Sequence, residues 1–204
     1  MNNFDKIPNL VLRKYQRDLY DFISIEGTIS LNVWNHFQYK DGYSHPFKPL
    51  QIPSGIIRLD IGGDMMVDEP LITDSHVRAY EYTLENSKII QEVILISLLE
   101  KYKHLVEPFG QGNAGGNRST PGNFGIEQFN HLISLLTIHI MNVEKEGMAY
   151  VGYEFGCAWD AQHGLGIMTH RNRICKIGSA DISFLTWVAE EDLETNEGEI
   201  IDLA

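Results

Sequence analysis

Between Gly156 and Gly166 the chain reads Gly156-Cys157-Ala158-Trp159-Asp160-Ala161-Gln162-His163-Gly164-Leu165-Gly166, which sets a thiol, an indole, a carboxylate and an imidazole between glycines. Three chemistries suit these residue types. A carboxylate three positions before a histidine can hold one imidazole tautomer, so Asp160 and His163 would serve as the acid–base pair of a small hydrolase or transferase. Cys157 would be a nucleophile with His163 as base and Asp160 or Asp181 as the orienting acid, provided that a positive neighbour lowers its pKa. Cys157, Asp160, His163 and His170 are all donors that zinc accepts, although the paired Cys-x-x-Cys or His-x-x-x-His spacing of strong zinc motifs is absent.

The same residues also make a tight turn, and that structural role is the main expectation. Trp159 would anchor the turn in the core, and Asp160 would accept backbone N–H groups. Gly164 and Gly166 would supply a positive φ or a close approach, and Asp181 would act as a turn or cap residue. A cysteine ending an alternating apolar strand is most often a small buried hydrophobe. His36, His45, His76, His104, His131 and His139 stand at scattered positions without ligand spacing, and each is expected at the surface or satisfied in the core. Gly110-Gln-Gly112-Asn-Ala-Gly115 matches a nucleotide-binding fingerprint, but a helix rather than a strand is expected before it, and Gly116, Asn117 and Pro121 follow where a helix should start. The segment Gly110 to Gly125 therefore reads as a surface loop, a lid if the protein is an enzyme.

The elements around these groups follow from periodicity. Thr28-Ile-Ser-Leu-Asn-Val-Trp34 alternates as a half-buried strand, and Ile56 to Ile61 reads as another, closed by Gly62-Gly63. Leu10 to Ile23 fits helix or strand equally. Thr73-Asp74-Ser75 can cap a helix, and no Pro or Gly interrupts the run from His76 to Leu105, which predicts one long helix over about 75–105. Its apolar residues occupy more than one face, which suits packing on a sheet or a homodimer seam. After a short helix near Ile126 to Leu132, Leu135–Val143, Tyr150–Phe155, Leu165–His170 and Ile174–Ile177 are separated by connections too short for crossovers. They should form an antiparallel meander in the C-terminal half, with Ala180 to Val188 continuing as strand or helix. The fold expected is α+β, with the helix packed on the sheet.

Bulk properties narrow the function classes. The chain has 204 residues, 43% of them hydrophobic and 22% charged, which is the balance of a folded globular protein. It divides into a single domain over 1–189 and an acidic tail over 190–204. The net charge is −12, and more than half of it lies from Glu190 onward, where seven acids meet no Lys or Arg. An acidic surface repels phosphate backbones, which argues against nucleic acid and favours a basic protein partner. No basic-then-apolar leader opens the chain and no apolar run reaches membrane-spanning length, so neither a secretory signal nor a membrane partner is expected. Two cysteines, Cys157 and Cys175, agree with a reducing, cytoplasmic setting. No cofactor is expected.

Tyr150-Val-Gly-Tyr-Glu-Phe-Gly-Cys-Ala-Trp-Asp-Ala-Gln-His-Gly-Leu-Gly, followed by His170-Arg-Asn-Arg and Ile177-Gly-Ser-Ala-Asp181, resembles an uncharacterised family of bacterial domains of unknown function. Such domains carry a Cys-x-Trp-Asp-x-x-His-Gly-x-Gly turn, a short hairpin and a Gly-x-Ala-Asp motif. The likeness covers about residues 147 to 184. The family pattern has Glu before the His where this chain has Gln162, so a mechanism needing that carboxylate does not carry over. Members resemble proteins found beside toxin genes, which implies an immunity role. The leading expectation is accordingly a protein–protein interaction module such as an immunity or accessory protein. The alternatives are a hydrolase or transferase using Asp160 and His163, and a structural homo-oligomer.

Overall fold

The computed structural model describes residues 3–17, 20–37, 55–64, 71–106 and 125–197. Seven strands lie side by side in chain order: β1 (Val11–Arg17), β2 (Tyr20–Ser30), β3 (Ile56–Gly62), β4 (Ile133–Lys145), β5 (Met148–Cys157), β6 (Leu165–His170) and β7 (Arg173–Gly178). Neighbours pair antiparallel except β3 and β4, which run parallel. The meander β4 to β7 follows from its tight connections. Glu146 and Gly147, with φ of 51° and 71°, supply the two left-handed residues of a hairpin turn that matches strand twist. A parallel pair needs a crossover, and the chain between β3 and β4 contains α1 (Asp74–Glu85) and α2 (Ser87–Val106).

The α+β class is as expected, but the single long helix is two. Asn86 separates them with φ −107° and ψ 14°. Its backbone N–H and its side-chain amide both donate to the Tyr82 carbonyl, at 2.9 and 3.0 Å, while its own carbonyl accepts the Ile90 N–H at 3.0 Å. One asparagine thus closes α1 and opens α2, by the competition with helical hydrogen bonds that makes Asn a boundary residue without help from Pro or Gly. Thr73 caps α1 as expected: its N–H donates to His76 Nδ1 at 3.0 Å. Helix α1 contacts β4 and β5, and α2 turns Ile90, Ile94, Leu95 and Leu98 inward while Ile89 and Ile96 stay exposed.

Alternation gives the sheet two different faces. One face carries Ile25, Ile29, Ile57, Leu59, Ile138, Ile140, Val151, Tyr153 and Phe155 into the main core. Trp34 is fully buried there, 5.3 Å from the Phe37 ring and 5.5 Å from Phe155. It arrives from a 3-10 turn, Asn32–Phe37, so the strand expected over Thr28 to Trp34 ends at Ser30. Truncating such a residue costs about 3–5 kcal/mol.

Among the described residues the other face is covered only in part. A 3-10 turn, Ala180–Ser183, and α3 (Thr186–Glu197) pack Ile182, Val188 and Ala189 against Met141, Tyr150 and Met168. The turn lies so close that a Cβ on Gly152 would stand 1.6 Å from the Ser183 carbonyl oxygen, and one on Gly166 would stand 2.4 Å from that of Ser179. The boundary expected at 189 therefore falls inside α3. Asp192 is tied to the sheet by Arg173, at 2.7 and 2.6 Å, and by the Tyr150 hydroxyl at 2.9 Å. Residues 198–204, and Gly110 to Phe124 of the glycine-rich loop, lie outside the described residues. Among the described residues no helix is long and apolar enough to cross a membrane.

Candidate functional site

The Cys157-to-Gly166 turn links β5 to β6. Cys157 is buried in the main core and its S–H donates to the Asp160 carbonyl at 3.4 Å. Burial pushes its thiol up to about 12, so the group is protonated at neutral pH. Asp160 accepts the His163 backbone N–H at 3.0 Å and the His163 ring Nδ1 at 3.0 Å. Its side chain is 11% exposed against 62% for His163, so the imidazole points to solvent from a carboxylate fixed in the turn. Trp159 is buried, and Gly164 has φ +66° while its N–H donates to the Asp160 carbonyl. Asp181 accepts from the Ser179 hydroxyl, and its carbonyl takes the Phe184 N–H. His170 is at the far end of β6, where Nε2–H donates to the Lys145 carbonyl at 3.0 Å and burial lowers the ring pKa. The fold thus joins Asp160 to His163, turns the Cys157 thiol to a backbone carbonyl, and gives His170 other partners. Among the described residues no group of three or more His, Cys, Asp and Glu is placed to hold a metal ion.

A denser charged cluster occupies the uncovered part of the second sheet face. Ser24 and Glu26 of β2, Arg58 and Asp60 of β3, Thr137 and His139 of β4, and Glu154 of β5 floor a cavity of about 450 Å³, with Tyr15, Leu71 and Phe184 on its walls. A β-bulge delivers two of these residues. Ile133 and Leu135 face the core, but the register shifts between Leu135 and Thr137, after which Ile138 and Ile140 face it instead. An inserted residue reverses which parity points inward, so Thr137 and His139 arrive in the cavity rather than in the core.

His139 is 8% exposed and stands between two carboxylates: Nδ1 lies 3.1 Å from Asp60 Oδ2, and Nε2 lies 3.2 Å from Glu154 Oε2. Two acceptors require two N–H donors, which makes the ring an imidazolium. Burial opposes that charge, but the hydrogen bonds and charges of Asp60 and Glu154 outweigh it, and the His139 pKa is raised. Burial likewise opposes ionised Glu154, yet the His139 contact prevails and lowers its pKa. Asp60 Oδ1 also accepts from the Ser24 hydroxyl at 3.2 Å. Nearer β1, Glu26 accepts the Tyr15 hydroxyl at 2.5 Å and Arg13 Nε at 3.0 Å, and Arg58 reaches it only at 3.9 Å. At the opposite wall, Asp64 Oδ1 takes the Thr186 N–H at 2.7 Å and the Thr186 hydroxyl at 2.5 Å, which anchors the start of α3 beside the cavity.

With both ring nitrogens spent on carboxylates, His139 is a fixed positive charge rather than a free proton shuttle. His139 stands among the scattered histidines without ligand spacing, and no motif marks Arg58, Asp60 or Glu154. The signal was there in another form, as charged side chains at alternate positions within otherwise apolar strands, Ile56-Ile-Arg-Leu-Asp-Ile61 and Tyr150-Val-Gly-Tyr-Glu-Phe155.

No curated protein and no solved structure matches this chain. Residues 25–185, which run from within β2 to the residue before α3 and include the turn and every floor residue except Ser24, match the model of a domain of unknown function (DUF6985), and the chain belongs to that family.

Proposed function

We propose that this protein binds a small polar molecule in the cavity over β1 to β5. The observation that carries the reading is the Asp60–His139–Glu154 ion triad on the cavity floor. Taking charges out of water is expensive, and apolar packing would stabilise a sheet face at least as well, so a paired cluster at the base of a cavity is more readily explained by a site than by stability. The volume falls within the ordinary range of ligand pockets, and the lining combines convergent polar groups with apolar walls. The two hydroxyl side chains on the floor, Ser24 and Thr137, are engaged with Asp60 and Glu154, which favours binding over nucleophilic turnover. A cytosolic setting belongs to the same proposal, since Cys157 and Cys175 are both unpaired and a reducing compartment keeps thiols so, and a bacterial one follows only the resemblance of the Cys157-to-Gly166 turn. Crystals soaked with a set of small polar fragments test it. Occupancy concentrated on the cavity floor supports the reading, and fragments seated only elsewhere on the molecule contradict it.

A protein partner is the second reading, favoured by one exposed face of α3. Trp187 is 46% exposed there, and Glu190, Glu191 and Glu194 follow it at helical spacing, all exposed. Lys176 lies over the Trp187 ring at 4.3 Å and pairs with Glu191 at 2.6 Å, which leaves Glu190 and Glu194 to meet a basic protein, with the charges chiefly speeding encounter, and an immunity or accessory role would use this face. Capture of a basic partner that weakens with salt and fails with Trp187→Ala supports it, whereas a partner indifferent to both changes does not.

A further inference from the structure

On the cavity floor the hydrogen-bonding capacity is unevenly used. Glu26 is taken by Tyr15 and Arg13, Asp60 by Ser24 and His139, and Glu154 by His139. Both N–H groups of His139 are spent on those acids. Arg58 is the exception among the described residues: the carboxylate oxygen it approaches, on Glu26, is 3.9 Å from Nη2, beyond hydrogen-bond reach, and its side chain is 47% exposed. Its guanidinium therefore offers a planar fork of donors to whatever enters, and that fork matches a carboxylate or phosphate edge in two parallel bonds.

The surrounding charges choose between those two anions. The acids Glu26, Asp60, Asp64 and Glu154 line the cavity with Arg58 and protonated His139, and Arg13 stands beside Glu26, so three cations meet four acids. On that slightly acidic floor an anion is held only by direct contact with Arg58, and one negative charge is opposed less than two. A dianion would set its second charge against Glu26 and Glu154. The walls supply the remaining requirement, because Tyr15 and Leu71 are 39% and 49% exposed and Phe184 closes the far side, giving an apolar body something to cover.

We infer that the cavity takes a small organic monocarboxylate with an apolar body, its carboxylate held by Arg58 and its body against Tyr15, Leu71 and Phe184. The inference rests on the cavity being the binding site and names the class of molecule that fits it. The test is calorimetric and NMR titration of the full chain with hexanoate, hexyl phosphate and hexylamine, which share one body and differ in head group. Hexanoate should bind the most tightly of the three, with shifts on cavity residues. Arg58→Gln should weaken it by at least about tenfold, the loss expected of a bidentate charged pair. The melting curve should stay close to wild type, because Arg58 is half exposed and makes no short bond among the described residues. Tighter binding of hexylamine or hexyl phosphate in the cavity, or hexanoate binding that ignores Arg58→Gln, overturns the carboxylate class and leaves the cavity reading standing. If none of the three probes moves a cavity resonance while fragments seat elsewhere, both fall together.

Discussion

Asp60 and His139 lie directly opposite one another in the parallel β3–β4 pair, 79 residues apart in the chain and 3.1 Å apart at Oδ2 and Nδ1. That contact depends on two features at once. The crossover through α1 and α2 sets β4 beside β3, and the β4 bulge turns His139 away from the core. Glu154, on the antiparallel neighbour β5, then closes the triad from the other side.

The triad should be visible in the pH dependence of stability. His139 has a raised folded pKa, so its contribution is complete below the ordinary value of 6.5 and is lost as pH rises through the folded value. Glu154 has a lowered one, so its contribution is complete above the ordinary 4.5 and is lost as pH falls through the folded value. His76 and His170, whose pKa values burial lowers, act in the opposite sense to His139, so the variant must be compared with wild type at each pH. In urea unfolding, His139→Gln should cost about 3 kcal/mol near pH 6, since it leaves two carboxylates uncompensated, and the deficit should shrink on the alkaline side. Parallel pH profiles for the two proteins would show that His139 is not the charged partner described.

Gly152→Ala should be among the most damaging small substitutions in the chain. The new methyl would meet the Ser183 backbone carbonyl, which is fixed by the turn packed over the sheet and cannot rotate away as a side chain would. Overpacking of this kind costs about 3 kcal/mol or more, read as a lower denaturant midpoint together with loosened contacts of α3. A variant as stable as wild type would mean that the turn does not lie on β5.

Sequence and structure agree best where a contact is local. The span expected for β6, Leu165–His170, is the span observed, because alternation and flanking turns fix it without outside help. The Asp160–His163 contact was legible for the same reason. The helix break at Asn86 was not, since it rests on one amide choosing the Tyr82 carbonyl over solvent, with no Pro or Gly to mark it. Alternation predicts a strand through Trp34, yet the strand ends at Ser30 and the indole reaches the core from a 3-10 turn. The cavity was hidden most deeply. Its members come from strands far apart in the chain, and the doublet Leu135-Leu136 marks a bulge only once the partner strand is known.

Thiol labelling separates a nucleophilic Cys157 from a structural one. Burial pushes both Cys157 and Cys175 up to about 12, so neither presents much thiolate at pH 8. Iodoacetamide should modify the native chain slowly at both positions and quickly once urea unfolds it. Rapid native labelling of Cys157 would restore the catalytic reading of the turn.

Within the turn, the carboxylate should matter more than the imidazole. Asp160→Ala removes the acceptor of a backbone N–H in a tight turn and should cost about 1–2 kcal/mol. His163→Ala removes a solvent-facing ring and should stay within about 0.5 kcal/mol of wild type, with ligand binding intact. Loss of binding in His163→Ala without loss of stability would move the site back to this turn.

The most direct measurement of where this protein works is amide and imidazole chemical-shift mapping of the isotopically labelled full chain during titration with small polar fragments. Binding in the cavity predicts shifts that cluster on Arg58, Asp60, Thr137, His139 and Glu154, with the His139 ring resonances among the most displaced. Shifts confined to the Asp160–His163 turn or to Trp187 on α3, with the triad unmoved, would contradict it.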